Sequence, residues 1–204
     1  MTTHSPTRLF RASLLLLLLL ITYGCGGARR PVIYYNLSQT TTEHRPEIDP
    51  HNKILALGIG PIQLPESLSR PQIASRLDNQ RLTYSDYNRW SGSLSDDFAS
   101  VLMENLAAYL PEQTPTALFP WAKHFKPSHR LVVTISQFDG QLGGEIILIT
   151  RWAITNSEGK EPLITRKSTI RVKANGDQYQ DLVSAQSQAV AEFASEIATA
   201  LATL

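Results

Sequence analysis

Residues 131–172, LVVTISQFDGQLGGEIILITRWAITNSEGKEPLITRKSTIRV, decide the fold class. Leu131, Val133 and Ile135 alternate in a first run, Ile146 to Ile154 is a second, and Ile164, Ser168, Ile170 and Val172 fall in a third. Alternation of β-branched and polar residues marks a strand with one buried face. Asn156-Ser157-Glu158-Gly159, between the second and third runs, supplies residues that tolerate tight or left-handed backbone, so the runs predict an antiparallel meander.

Toward the C-terminus the period changes from 2 to about 3.6. Asp177 or Asp181 opens a helix with negative charge at its positive dipole end, and Leu182, Val190, Phe193, Ile197, Leu201 and Leu204 give that helix an apolar stripe. Toward the N-terminus, Ser93 with Asp96 three positions later resembles a capping box. Leu94, Phe98, Val101, Leu102, Leu106 and Leu110 then recur mostly at spacings of three and four until Pro111 stops the helix. Asp96-Asp97 is accounted for by capping and the helix dipole rather than by catalysis. Residues 111–129 hold four prolines, with Ala117-Leu118-Phe119 as an edge-strand candidate.

Further back, Val32 to Leu37 reads as a first strand, and Leu55, Leu57 and Ile59 place a second over residues 53–60, ended by Gly58, Gly60 and Pro61. Pro65 to Pro71 reads as loop, because each proline holds its predecessor extended. Gln72–Leu77 and Arg81–Tyr84 predict a hairpin around Asp78-Asn79-Gln80, with Asn79 suited to a positive φ. Strands in runs with one central and one terminal helix imply an α+β fold: a mostly antiparallel sheet with two main helices packed on one face, a two-layer sandwich.

The first 25 residues carry a different message. Arg8 and Arg11 precede an unbroken Leu14–Leu20 run, then Ile21-Thr22-Tyr23-Gly24 and the only cysteine, Cys25. A basic segment, a short apolar core and a small residue before the cleavage point mark an export signal, and the core is too short to span a bilayer as a stable helix. The end of the segment resembles a lipobox, with Thr22 where leucine is usual; that resemblance implies acylation of Cys25. The chain then divides into a signal peptide at 1–24, a lipidated tether with the first strand at 25–52, and one domain at 53–204. Removing the signal leaves 17 of the 19 basic side chains against 18 acidic ones, which argues against a nucleic-acid partner.

Catalytic and metal-binding patterns are not legible. His44, His51, His124 and His129 show no helical i, i+4 pairing, no serine sits in a G-x-S-x-G elbow, and Gly58-x-Gly60 and Gly143-Gly144 read as strand bends or turns. No catalytic residue, metal or cofactor is expected. Tyr34, Tyr35, Tyr84, Tyr87, Trp90 and Trp121 divide between core packing and an aromatic surface.

Several segments taken together carry a resemblance. Tyr34-Tyr35-Asn36-Leu37 follows soon after Cys25. Gly58-Ile59-Gly60-Pro61-Ile62-Gln63-Leu64-Pro65 and Leu68-Ser69-Arg70-Pro71-Gln72-Ile73 with Arg76 come next. Arg89-Trp90, Leu102-x-x-Asn105-Leu106, Phe119-Pro120-Trp121, a Phe138-Asp139-Gly140 turn and Trp152 complete the series. In this order they resemble the PqiC (YmbA) family of ABC-type transport auxiliary lipoproteins. The resemblance implies a periplasmic lipoprotein that binds partners rather than catalysing a reaction. Those partners would be an MCE-domain tunnel protein and inner-membrane transporter components that move lipids between the two membranes. It carries over Cys25 as the acylated residue and marks Leu64, Arg70, Gln72, Arg76 and Trp90 as positions that either meet a partner or build the fold. The Leu64–Arg76 segment is expected to face the tunnel protein or another copy in a homo-oligomer, with Arg70 and Arg76 offering directional donors. Gly26 rather than aspartate after Cys25 favours the periplasmic face of the outer membrane, held through acyl chains. Two other functions fit the same composition: an outer-membrane activator of a peptidoglycan synthase, and a small-ligand-binding lipoprotein.

Overall fold

The computed structural model describes residues 30–40, 42 and 56–204, so the signal peptide, Cys25 and the residues from Glu43 to Leu55 lie outside the described part. Its elements in chain order are β1 (Ile33–Tyr35), β2 (Leu57–Gln63), a single 3-10 turn (Glu66–Leu68), β3 (Gln72–Arg76), β4 (Leu82–Trp90) and α1 (Leu94–Ala107). They continue with β5 (Thr116–Leu118), β6 (His129–Gly140), β7 (Glu145–Asn156), β8 (Pro162–Lys173) and α2 (Tyr179–Leu201). The class is α+β.

The strands form two sheets, one of three strands in the order β1-β4-β3 and one of five in the order β5-β2-β6-β7-β8. The meander β6-β7-β8 is antiparallel, whereas β2 runs parallel to both β5 and β6, and β1 runs parallel to β4. The sheets are therefore mixed. The parallel pairings follow from long connections, since β2 meets β6 only after the β3-β4 hairpin and α1 have intervened, which a hairpin turn cannot do.

One face of the five-stranded sheet is covered by α1 and α2, which pack on each other, α1 above β2 and β5 and α2 above β6 to β8. Leu131, Val133 and Ile135 point into this layer, but Ser136 is an extra residue where the pairing shifts register, so Phe138 rather than Gln137 continues the buried row. Phe98 of α1, Phe138 and Phe193 of α2 meet with ring centroids 5.3 and 6.4 Å apart, and Phe193 reaches Trp152 at 6.2 Å. All four rings are at most 2% exposed, which makes them the centre of the core.

Other expectations need correction. The second strand does not end at Gly58 or Gly60 but runs on to Gln63, with the register shift between Ile59 and Ile62 absorbed at Gly60, whose φ is +112°. Phe138-Asp139-Gly140 is not a turn: it is the last part of β6, and the turn lies at Gln141–Gly144. Asn79 has a negative φ, because Asp78 Oδ1 accepts from both Gln80 N and Arg81 N and closes the hairpin without a left-handed residue. The terminal helix is capped by Gln178 together with Asp181, the side chain of Asp181 accepting from Gln178 N at 3.0 Å. The Pro65–Pro71 segment contains one 3-10 turn, held by Leu68 N donating to Pro65 O.

Candidate functional site

The Leu64–Arg76 segment begins where β2 leaves the core. Leu64 packs half-buried on the core, Leu68 is buried, and Ser69 returns its hydroxyl to Pro65 O, so the stretch around the 3-10 turn that precedes β3 is fixed by two prolines, one apolar plug and its own hydrogen bonds. Pro71 O then accepts from Trp90 N at 2.7 Å and ties the segment to the end of β4. Across a narrow groove stands the start of α1, with Ser93 capping Asp96 N and Ser95 donating to Ile62 O. The groove has a volume of about 120 Å³ and is lined by Leu64, Arg70 and Pro71 on one side and Gly92, Ser93 and Ser95 on the other. Drug-sized ligands occupy pockets of roughly 300 Å³ or more, so this groove suits an inserted side chain and not a whole lipid.

The sequence-marked residues separate here. Arg70 is exposed and its guanidinium lies over the Tyr84 ring at 4.9 Å, with Tyr84 OH bonded to Ser67 O. The stacked guanidinium keeps its in-plane N–H groups for an external acceptor. Leu64 shares the groove with it. Gln72 opens β3 opposite Arg89 and is half-buried. Trp90 is 5% exposed and belongs to the core beneath the groove, so it supports the segment from below.

Arg76 is engaged within the chain and does not offer its donors outward. It grips Asp139 with Nε to Oδ1 at 2.5 Å and Nη2 to Oδ2 at 3.2 Å, while Gln137 adds a third bond to Oδ1. Asp139 is 4% exposed and Arg76 23%, so the pair is largely removed from water. Asp139 is the residue that the sequence reading missed. The Phe138-Asp139-Gly140 signal was visible, but nothing local pairs position 76 with position 139.

A family model for ABC-type transport auxiliary lipoprotein components matches residues 35–198. The chain belongs to that family. Among its relatives, the intermembrane transport lipoprotein PqiC of Escherichia coli strain K12 is 22% identical over 182 residues, covering 85% of this chain and 90% of the relative. The PqiC of Shigella flexneri matches to the same extent. A crystal structure of an uncharacterized protein superposes with a TM-score of 0.65 at 19% identity, over 83% of this chain and 97% of that one. One from Xanthomonas campestris gives 0.62 at 12% identity, over 81% and 92%. At these identities the two structures speak for the fold alone.

Much of what resembles the transport auxiliary lipoproteins in sequence builds the fold of this member. A Cβ at Gly58 would lie 2.9 Å from the Trp121 ring and one at Gly60 would lie 3.0 Å from Phe119, so the two glycines let the Phe119-Pro120-Trp121 segment rest on β2. Leu102, Asn105 and Leu106 are all buried in α1. Trp152 donates through Nε1 to Ser168 Oγ, which donates to Glu196 of α2, a polar chain that registers helix on sheet. Tyr35-Asn36-Leu37 leads the N-terminal arm onto the domain: Leu37 N donates to Asp97 Oδ2 at 2.6 Å, and Ser38 N to Ser187 Oγ. Asp97 thus holds the arm as well as serving the helix dipole. Burial raises its pKa above the ordinary carboxylate value, opposed by the bonds from Leu37 and Asn36.

Among the described residues no three His, Cys, Asp or Glu side chains come together as a metal set, and no helix is long and apolar enough to cross a membrane. A wider depression of about 450 Å³ lies between the end of β8 and the start of α2. Its walls are mostly polar, with Thr40, Lys173, Asn175, Asp181, Ser184 and Gln188 beside the apolar Val172 and Ala185, whereas small-molecule pockets are lined predominantly by apolar side chains.

Proposed function

We propose that this chain is a docking subunit of an MCE/ABC-type lipid transport system between the inner and outer membranes. In this reading it is held at the periplasmic face of the outer membrane by acyl chains on Cys25 and binds partner proteins without catalysing a reaction. The observation that carries the reading is the family match over residues 35–198, joined to a pre-shaped groove at Arg70. The relation to PqiC, named an intermembrane transport lipoprotein, supports the transport setting.

The pinned arm supports docking close to the membrane. Eight residue steps separate Cys25 from Ile33, the first residue of β1, and a fully extended chain of that length spans at most about 28 Å. A domain on so short a leash stays near its acyl anchor. A reach across the periplasm to a peptidoglycan synthase calls for a longer one. At Arg70, a partner carboxylate would meet a guanidinium already oriented by Tyr84, so little side-chain freedom is lost on binding.

Crosslinking followed by purification of the full-length lipidated chain tests the proposal. An MCE-domain protein should be recovered with it. Arg70→Glu should reduce that recovery by about tenfold or more, the scale of one charge-assisted contact of about 1.5–3 kcal/mol, at an unchanged thermal midpoint. Cys25→Ala should move the chain out of the membrane fraction. Recovery of unrelated proteins only would overturn the transport assignment, and undiminished recovery with Arg70→Glu would remove the groove from it.

A further inference from the structure

The helices cover one face of the five-stranded sheet. On the opposite face of β7 and β8 the β3–β4 turn, with Arg76, Asp78 and Asn79, borders the Glu145, Ile147 and Arg171 end across a depression of about 310 Å³, and the Arg151, Lys167 and Thr169 end is exposed. Register places its side chains in rows: Arg151 opposite Lys167, Ile149 opposite Thr169, Ile147 opposite Arg171 and Glu145 opposite Lys173. Arg151, Lys167, Thr169, Arg171 and Lys173 are exposed, and the two isoleucines are half-buried between them. The one carboxylate in these rows, Glu145, reaches Arg171 at 3.5 Å with both side chains more than half exposed. Arg151, Lys167 and Lys173 have no ion pair among the described residues.

Two cations directly opposite each other on neighbouring strands repel, and the fold gains nothing from placing Arg151 against Lys167. Protection of a sheet edge by charge accounts for lysines on β8, which pairs only with β7 and leaves its other side open. It does not account for Arg151. That residue sits on β7, paired on both sides by β6 and β8, where no edge needs protection. A local conflict retained in an otherwise consistent sheet points to a use outside the fold.

We propose that the open β7–β8 face, built around Arg151, Lys167 and Arg171 beside Ile147 and Ile149, docks an acidic face of a protein partner. The inference rests on the docking role proposed above and adds a second surface to it. Charge complementarity selects the sign of the partner. The isoleucine pair selects its class, because apolar contacts flanked by charged ones match the centre and rim of a protein interface. A partner carboxylate between Arg151 and Lys167 would relieve their repulsion, so binding gains what the free fold loses.

A photoreactive benzoylphenylalanine at Thr169 of the full-length chain, activated in cells and followed by peptide sequencing, tests this. The expected result is a crosslink to a partner peptide rich in Asp and Glu. Lys167→Glu, which gives Arg151 an opposite charge, should hold or raise the thermal midpoint while lowering the yield to that of a probe at exposed Glu158. Arg151→Ser should lower the yield in the same way. Changing the crosslinked partner carboxylates to lysine should restore the yield with Lys167→Glu. Crosslinks to lipid, to a second copy or to a segment without carboxylates would overturn the inference, as would no crosslink or a yield that neither variant moves. A probe at Ser69 separates the two proposals. If Ser69 captures an MCE-domain protein and Thr169 nothing, only the face fails; if Thr169 captures an acidic partner foreign to lipid transport, the transport role fails and the face stands.

Discussion

Replacing Arg76 with alanine would remove two of the three hydrogen bonds that hold the Asp139 carboxylate and leave only the neutral Gln137 amide. Because Asp139 is 4% exposed, water replaces the guanidinium poorly, and breaking a buried pair from one side costs about 3–5 kcal/mol. The 23% exposure of Arg76 lets some solvent follow the truncation, so the lower end, about 3 kcal/mol, is expected. Such a loss is a large share of the total stability of an ordinary domain, about 5–15 kcal/mol. Urea denaturation read by tryptophan fluorescence measures it, with an unchanged slope showing that the transition stays two-state. The companion variant Arg76→Met with Asp139→Leu removes both charges and should recover most of the loss, since a buried pair exchanged for apolar side chains is often close to neutral. A cost below about 1 kcal/mol for Arg76→Ala, in the range of an exposed ion pair, would refute this and return Arg76 to the pool of docking residues. A charge reversal that includes Arg76 therefore tests folding before it tests docking, and Arg70→Glu alone is the cleaner probe of the groove.

Phe193 is fully buried between the Phe98 and Trp152 rings, so Phe193→Ala should cost about 3–5 kcal/mol in the same assay; less than about 1 kcal/mol would mean that α2 does not seat on the sheet through this ring. Burial lowers the pKa of His129, so the unfolded chain takes up the proton first. Its contribution to stability is whole above the unfolded value of about 6.5 and is lost as pH falls through the lower folded value. His129→Gln should flatten the fall in urea midpoint between about pH 7 and pH 5; an unchanged slope would place that loss at other groups.

The meander and the two helices were legible because each runs long enough for its period to show: Leu131, Val133 and Ile135 in one phase, Phe193, Ile197 and Leu201 in another. What escaped was set by partners distant in sequence. Gly58 and Gly60 have the composition of a strand end, and the Trp121 ring and Pro127 against Gly58, with the Phe119 backbone and Cβ against Gly60, explain why glycines stand in a strand that continues. The Ser136 bulge defeats strict alternation, so Phe138 looks out of phase until the register shift is seen. Asn79 is a residue that tolerates a positive φ, but the Asp78 side chain had already closed the turn. The parallel pairing of β2 with β6 has no local signature at all.

The candidate surfaces were less legible than the fold for the same physical reason. Arg70 and Arg76 lie six positions apart in one proline-framed segment, and sequence gives them one role. In the fold the first rests on an aromatic ring with its donors outward, and the second is neutralised by a carboxylate 63 positions away. The repulsion between Arg151 and Lys167 is likewise invisible until register sets them face to face. A cation becomes available to a partner only when the fold leaves it unmatched, and that is a property of the pairing of elements more than of the residue. The two free sets, Arg70 at the groove and Arg151 with Lys167 on the open sheet, predict separable effects. Charge reversal at one should leave crosslinking at the other intact when the two surfaces bind independently, and should reduce both when a single partner spans them, because linked contacts raise each other's effective concentration.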